Sequence, residues 1–150
     1  MRTLALVALG FATSLTAACT DDPGGSTGTD GPCAAKASLC VTLSVPDDYA
    51  KTPVKVIVGL FEHLPPEGPP NGIAAIVENP VIGPGAPLAL QASNVMPAGD
   101  WFVYAVLYDE GGGKYQPVAD VDYVVESTEP FHIGERAVNM PAMALSLFTK

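Results

Sequence analysis

Four carboxylates lie close together late in the chain. Asp109 and Glu110 stand in a turn, and Asp120 and Asp122 follow on what reads as one strand face. Oxygen donors grouped in this way can hold Ca²⁺, which takes six to eight oxygens. Acidic residues spaced by two also make a solvated strand face that resists edge pairing. The solvated face is the expectation here, so no metal is assigned, with Asp109, Glu110, Asp120 and Asp122 kept as weak calcium candidates. His63 and His132 are the two histidines. A catalytic pair would need them brought together beside a nucleophile, and two unrelated strand-end positions are expected instead. The chain carries no Gly-x-Ser-x-Gly elbow, no His-Glu-x-x-His and no phosphate-cradling glycine loop before a helix. No enzyme activity, catalytic residue or cofactor is therefore expected. Trp101, Tyr104, Tyr108, Tyr115 and Tyr123 could form an aromatic platform for a glycan or peptide, but a β core also consumes such residues, and core packing is the expectation.

Charge narrows the partners. Asp and Glu number 16 against 7 Lys and Arg, a net charge of −9. An acidic chain repels a phosphate backbone, so no nucleic-acid partner is expected. The 150 residues suit one domain, and 15 Gly with 15 Pro put frequent turns between the elements.

The elements that must position these groups read as strands. Leu39, Val41, Leu43 and Val45 alternate with Cys40, Thr42 and Ser44, which is the period of a strand. Val54 to Phe61 is apolar on most of both faces and should lie inside a sheet. Leu64 to Gly72 (LPPEGPPNG) reads as a loop, because proline cannot donate to a ladder. It could offer a polyproline segment to a partner, although a plain connection is expected. Ile73–Val77 and Leu88–Ala92 are short strands. Trp101 to Tyr108 is the strongest element, filled on both faces by aromatic and β-branched residues. Val118 to Val125 alternates again, and a last strand runs through Arg136 to Leu147, where Pro141 demands an edge or a bulge. The fold class expected is all-β, a single antiparallel β-sandwich of about seven strands.

The N-terminus reads as a targeting segment. A basic start at Arg2, an uncharged apolar run from Leu4 to Leu15 and small residues up to Ala18 make a secretory signal peptide. The run is shorter than the roughly 20 apolar residues that a membrane-spanning helix needs. Leu15-Thr16-Ala17-Ala18-Cys19 resembles the lipobox of bacterial lipoproteins. That resemblance implies cleavage before Cys19, diacylglycerol on its thiol and acylation of the new amino group. The other reading is ordinary secretion with cleavage near Ala18. Thr20 after the cysteine, in place of Asp, leans toward the outer membrane by the family's sorting rule. Residues 20–32 (TDDPGGSTGTDGP) contain no large apolar side chain and read as a flexible tether. The domain boundaries expected are 1–18 signal peptide, 19–37 lipidated tether and 38–150 β-sandwich. Cleavage before Cys19 removes Arg2 and no acid, which leaves the mature chain still more acidic. With Cys19 lipidated, Cys33 and Cys40 remain as an even pair in an oxidising compartment, which favours a disulfide between them.

Pro97-Ala98-Gly99-Asp100-Trp101-Phe102-Val103-Tyr104-Ala105 resembles the P-x-G-x-aromatic-x-V-x-A segment of transthyretin-like (prealbumin-like) β-sandwiches, including carboxypeptidase regulatory-like domains. In that family Pro and Gly turn the chain into an inner strand and the aromatic packs at its start. The resemblance implies a binding or spacer module. The expected function is a lipid-anchored cell-envelope protein acting as a non-catalytic interaction or structural module. Its expected partners are the membrane, through the lipid, and an envelope protein. The alternative is a carbohydrate- or small-ligand-binding sandwich.

Overall fold

The computed structural model describes residues 38–92, 98–109 and 116–149, and these form two packed β-sheets with no helix. Ten strands appear in chain order: β1 (Leu39–Ser44), β2 (Lys55–Phe61), β3 (Gly72–Glu78), β4 (Leu88–Ala92), β5 (Gly99–Tyr108), β6 (Tyr123–Glu126), β7 (Phe131–Ile133), β8 (Val138–Asn139), β9 (Met143–Ala144) and β10 (Ser146–Leu147). The smaller sheet has β1 at its centre, with β4 on one side and β8 then β9 on the other. The larger sheet runs β10-β6-β5-β2-β3, and β7 continues alongside β5.

The all-β sandwich expected from the pattern is the architecture observed. Alternation explains why. Leu39, Val41 and Leu43 turn one face of β1 inward, where they meet Val56, Val58 and Leu60 of β2 and Trp101, Val103, Ala105 and Leu107 of β5. A side chain of this kind gains roughly 1.5–3 kcal/mol on full burial. β2 and β5 are paired over seven residues, from Lys55↔Tyr108 to Phe61↔Phe102. Both lie inside the larger sheet, as their two-sided apolar runs require.

Three details depart from simple alternation. First, the segment expected as one strand over Val118–Val125 becomes a strand only from Tyr123. Val118 to Val121 is a turn, with Asp120 at φ 63°, closed by Asp122 N–H donating to Val118 O at 3.0 Å. Asp120 and Asp122 therefore do not share a strand face. Second, β6 and β7 are one strand interrupted at Ser127–Pro130. Ser127 repairs the ladder there: its N–H donates to Val103 O at 2.9 Å, and its Oγ accepts from Val103 N–H at 3.0 Å. Third, the expected last strand is cut at Pro141 into β8 and β9, which run parallel to β1, and β10, which pairs antiparallel with β6. The chain crosses from one sheet to the other at Leu145, a buried residue whose N–H donates to Ser44 O at 2.8 Å. This crossing ties the two sheets together along one flank. On the opposite flank β3 and β4 are each paired, among the described residues, with a single neighbour.

Candidate functional site

The first cluster with chemical potential surrounds Asp122. Its carboxylate is fully buried. Oδ1 accepts from Asp109 N–H at 3.1 Å and Oδ2 from Val118 N–H at 2.7 Å. Asp109, at the end of β5, faces the chain segment before β2. Tyr49 Oη donates to Asp109 Oδ1 at 2.7 Å, and Lys51 Nζ lies 3.0 Å from Oδ2. Lys51 also donates to Val121 O at 2.7 Å and sits 5.3 Å above the Tyr123 ring, against which Tyr49 packs edge-on. Burial, then the bond to Asp109, pushes the Tyr49 hydroxyl far above its ordinary range. The hydrogen bond to Asp109 raises the Lys51 ammonium above its usual value.

These carboxylates are occupied by protein donors. Glu110, the remaining weak calcium candidate, lies outside the described residues, and Asp120 points into solvent from its turn. Among the described residues no group of three or more His, Cys, Asp or Glu side chains is arranged to hold a metal ion. The Asp109–Asp122 arrangement fastens the two ends of the β5–β6 connection to each other and to residues 49–51. Tyr49 and Lys51 had no local sequence signal, because they meet Asp109 from 60 and 58 positions away.

The histidines are placed separately. His132 on β7 stands opposite Asp100 on β5, with Nδ1 2.7 Å from Oδ1. Both side chains are exposed. His63, exposed just beyond β2, makes no hydrogen bond to the described residues. The pair is a cross-strand contact on an open surface.

The aromatics divide between core and outer surface. Trp101 is buried at the start of β5, and Tyr108 is fully buried. Tyr104 and Tyr123 are half-buried, and Tyr115 lies outside the described residues. The outer face of the larger sheet carries its own apolar cluster of Ile57, Val106 and Tyr108, extended by Val54, Tyr104 and Val124. The proline-rich loop folds back against this face. Gly59 permits that approach, since a Cβ there would meet Pro70 and the Phe61 ring at 3.0 Å each. Beside the loop an open groove of about 600 Å³ is lined by Phe61, Pro65, Tyr104, Val124, Glu126 and Phe148. Burial, then the charge of Glu126, raises the Tyr104 hydroxyl. A second groove, about 470 Å³, lies between the β6–β7 connection and residues 138–144, with Phe131, Met140 and Met143 on its walls.

Apolar side chains are exposed on the β3 flank, as they are at Val118 and Leu147. Ile73 and Ile76 on β3 are 38% and 50% exposed, and Val81 just beyond it is 88% exposed. The sequence signalled β3 only as a short strand. Its surface role follows from position at the sheet edge, which strand periodicity does not encode.

Cys40 lies on β1, opposite Gln91 on one side and Asn139 on the other. Its expected partner Cys33 lies outside the described residues, as do Cys19 and the whole signal and tether region. No family model, curated protein or solved structure matches the chain.

Proposed function

We propose that this is a lipid-anchored cell-envelope protein whose β-sandwich is a non-catalytic interaction module. Cys19 carries the lipid in this reading, the following residues form the tether, and a Cys33–Cys40 bridge pins the tether to β1. The observation that carries it is the exposed apolar edge of the larger sheet, where Ile73 and Ile76 stand open on β3. Soluble domains seldom leave such residues together on a sheet edge unless something docks there. Asp122, held by backbone donors, Asp109, held by Tyr49 and Lys51, and His132, paired with Asp100, support the same reading. The transthyretin-like segment is consistent with a binding or spacer role. The outer membrane is the proposed location, following the lipobox and Thr20.

A second reading, a carbohydrate- or small-ligand-binding module, is favoured by the aromatic groove at Phe61, Tyr104 and Phe148. Stacking on aromatic faces and a few polar groups such as Glu126 would suit a sugar.

In-cell crosslinking followed by mass spectrometry separates the two. Full-length protein should capture a specific envelope protein, and Cys19→Ala should lose it together with membrane attachment. Capture of no protein by either form, with saturable binding of a glycan that Tyr104→Ala abolishes, would transfer the function to the groove.

A further inference from the structure

The geometry points to β3 as an acceptor edge that binds an extended, basic–apolar segment of a partner protein by adding a strand to the larger sheet. The inference rests on the interaction-module reading and specifies its mode and the partner's chemistry.

Backbone polarity comes first. Asn79 N–H donates to Val54 O, and Val77 and Ala75 stand opposite Val56 and Val58 in the same register. In an antiparallel ladder, alternate residues direct their N–H and C=O toward the same neighbour. Val77 and Ala75 therefore face β2, and Ile76 and Glu78 direct their backbone groups to the free side. Among the described residues, no loop or turn hydrogen bond reaches the Ile76 or Glu78 backbone. The side chains follow the same alternation. Ala74, Ala75 and Val77 pack on the core, whereas Ile73, Ile76 and Glu78 stand on the outer face. The irregularity at Val58/Gly59 lets Ala74 and Ala75 both turn inward.

Edge strands in monomeric proteins are usually blunted by lysine, proline or an inward charge. β3 (GIAAIVE) carries none of these, and its irregularity opposite Val58/Gly59 precedes the regular stretch Ala75–Glu78. An incoming strand would thus find donors and acceptors that no described strand pairs, with Ile73 and Ile76 to receive apolar side chains. This is the strand-addition mode of peptide recognition, in which the ladder gives affinity and alternate side chains give specificity.

Charge selects the occupant. Between Lys55 and Lys114 the chain contains no Lys or Arg, while Glu62, Glu67 and Glu78 lie on or beside the β2–β3 hairpin. Glu78 remains 61% exposed even in its pair with Lys55. A second copy of this chain would bring like charge to like charge, against a net charge of −9 on each. A partner strand with apolar residues over Ile73 and Ile76, and Lys or Arg opposite Glu78, is complementary on both counts.

The test uses full-length protein in detergent and a fluorescent heptapeptide read by anisotropy, with Val over Ile73 and Ile76 and Lys opposite Glu78 on one strand face, and Thr at the alternate positions. A matched peptide with Asp in place of Lys is the control. The Lys peptide should bind saturably and the Asp peptide at least ~10-fold more weakly. Ile76→Pro should weaken the Lys peptide by a similar factor with little change in melting temperature. It deletes an N–H that β2 does not use and fits the extended backbone of Ala75. Ile76→Lys, which leaves the backbone intact, should also weaken it through added like charge. Equal binding by wild type, Ile76→Pro and Ile76→Lys overturns the inference, as does equal binding of the two peptides or no binding by folded wild type. Light scattering that shows a wild-type dimer dissociated by Ile76→Pro assigns the edge to self-association and overturns it too. If the cellular crosslink captures the same partner with Ile76→Pro as with wild type, the interaction module stands and strand addition falls.

Discussion

Replacing Asp122 tests whether the buried carboxylate is a structural clamp. In Asp122→Ala the N–H groups of Asp109 and Val118 lose acceptors at 3.1 and 2.7 Å. A hydrogen bond to a charged group contributes about 1.5–3 kcal/mol, and an unsatisfied buried donor costs about 1–3 kcal/mol. The two bonds share one carboxylate, and the Val118 bond is only part-buried. The combined loss should therefore fall near 3 kcal/mol, below the simple sum of two bonds. A domain of this size has a total stability of roughly 5–15 kcal/mol. At about 4 °C per kcal/mol the melting temperature should fall by about 12 °C. Asp122→Asn keeps one acceptor oxygen and should lose about half as much. Asp120→Asn, on an exposed residue two positions away, should stay within about 0.5 kcal/mol of wild type. Urea denaturation followed by circular dichroism gives all three values. An Asp122→Ala loss below about 1 kcal/mol, or an Asn variant as damaged as the Ala variant, would refute the clamp.

Tyr49 should make the protein sensitive to alkali. Its folded pKa is raised above the unfolded value, so its contribution is fully present below about pH 10 and is lost as pH rises beyond that. Urea midpoints between pH 8 and 11 should fall less steeply in Tyr49→Phe, and an unchanged slope would assign the loss to other groups. Gly59→Val places a side chain where Pro70 and Phe61 already stand at 3.0 Å, and should cost about 1–3 kcal/mol by forcing the proline loop outward. Increased protease cleavage within residues 62–71 of the folded variant would show that displacement, and resistance equal to wild type would argue against it. Ser127→Ala leaves Val103 N–H without its acceptor in the interrupted β6–β7 strand and should cost about 1–3 kcal/mol. Hydrogen exchange at Val103 should accelerate more than at Leu60 in the core, and uniform acceleration would instead mark a general loss of stability.

The sequence by itself determined the strands, because period-two alternation is a local property. Leu39–Leu43 on β1 and the two-sided apolar runs of β2 and β5 could be read without a partner in view. Proline and glycine marked most of the ends for the same reason, although Pro141, read as an edge or bulge within one strand, instead separates β8 from β9. The tertiary structure decided what alternation cannot carry. Val118–Val121 alternates like a strand, yet a single buried carboxylate at Asp122 closes it into a turn. The residues that complete this clamp, Tyr49 and Lys51, come from another part of the chain. The splitting of the C-terminal segment between two sheets depends on β1 offering an edge to β8 and β9 while β6 offers one to β10. The exposed β3 edge depends on sheet order, which is set by which strands find each other in three dimensions. Ile73 and Ile76 are ordinary strand residues in the sequence. They stand at an open sheet edge only because no further described strand follows β3 in the sheet.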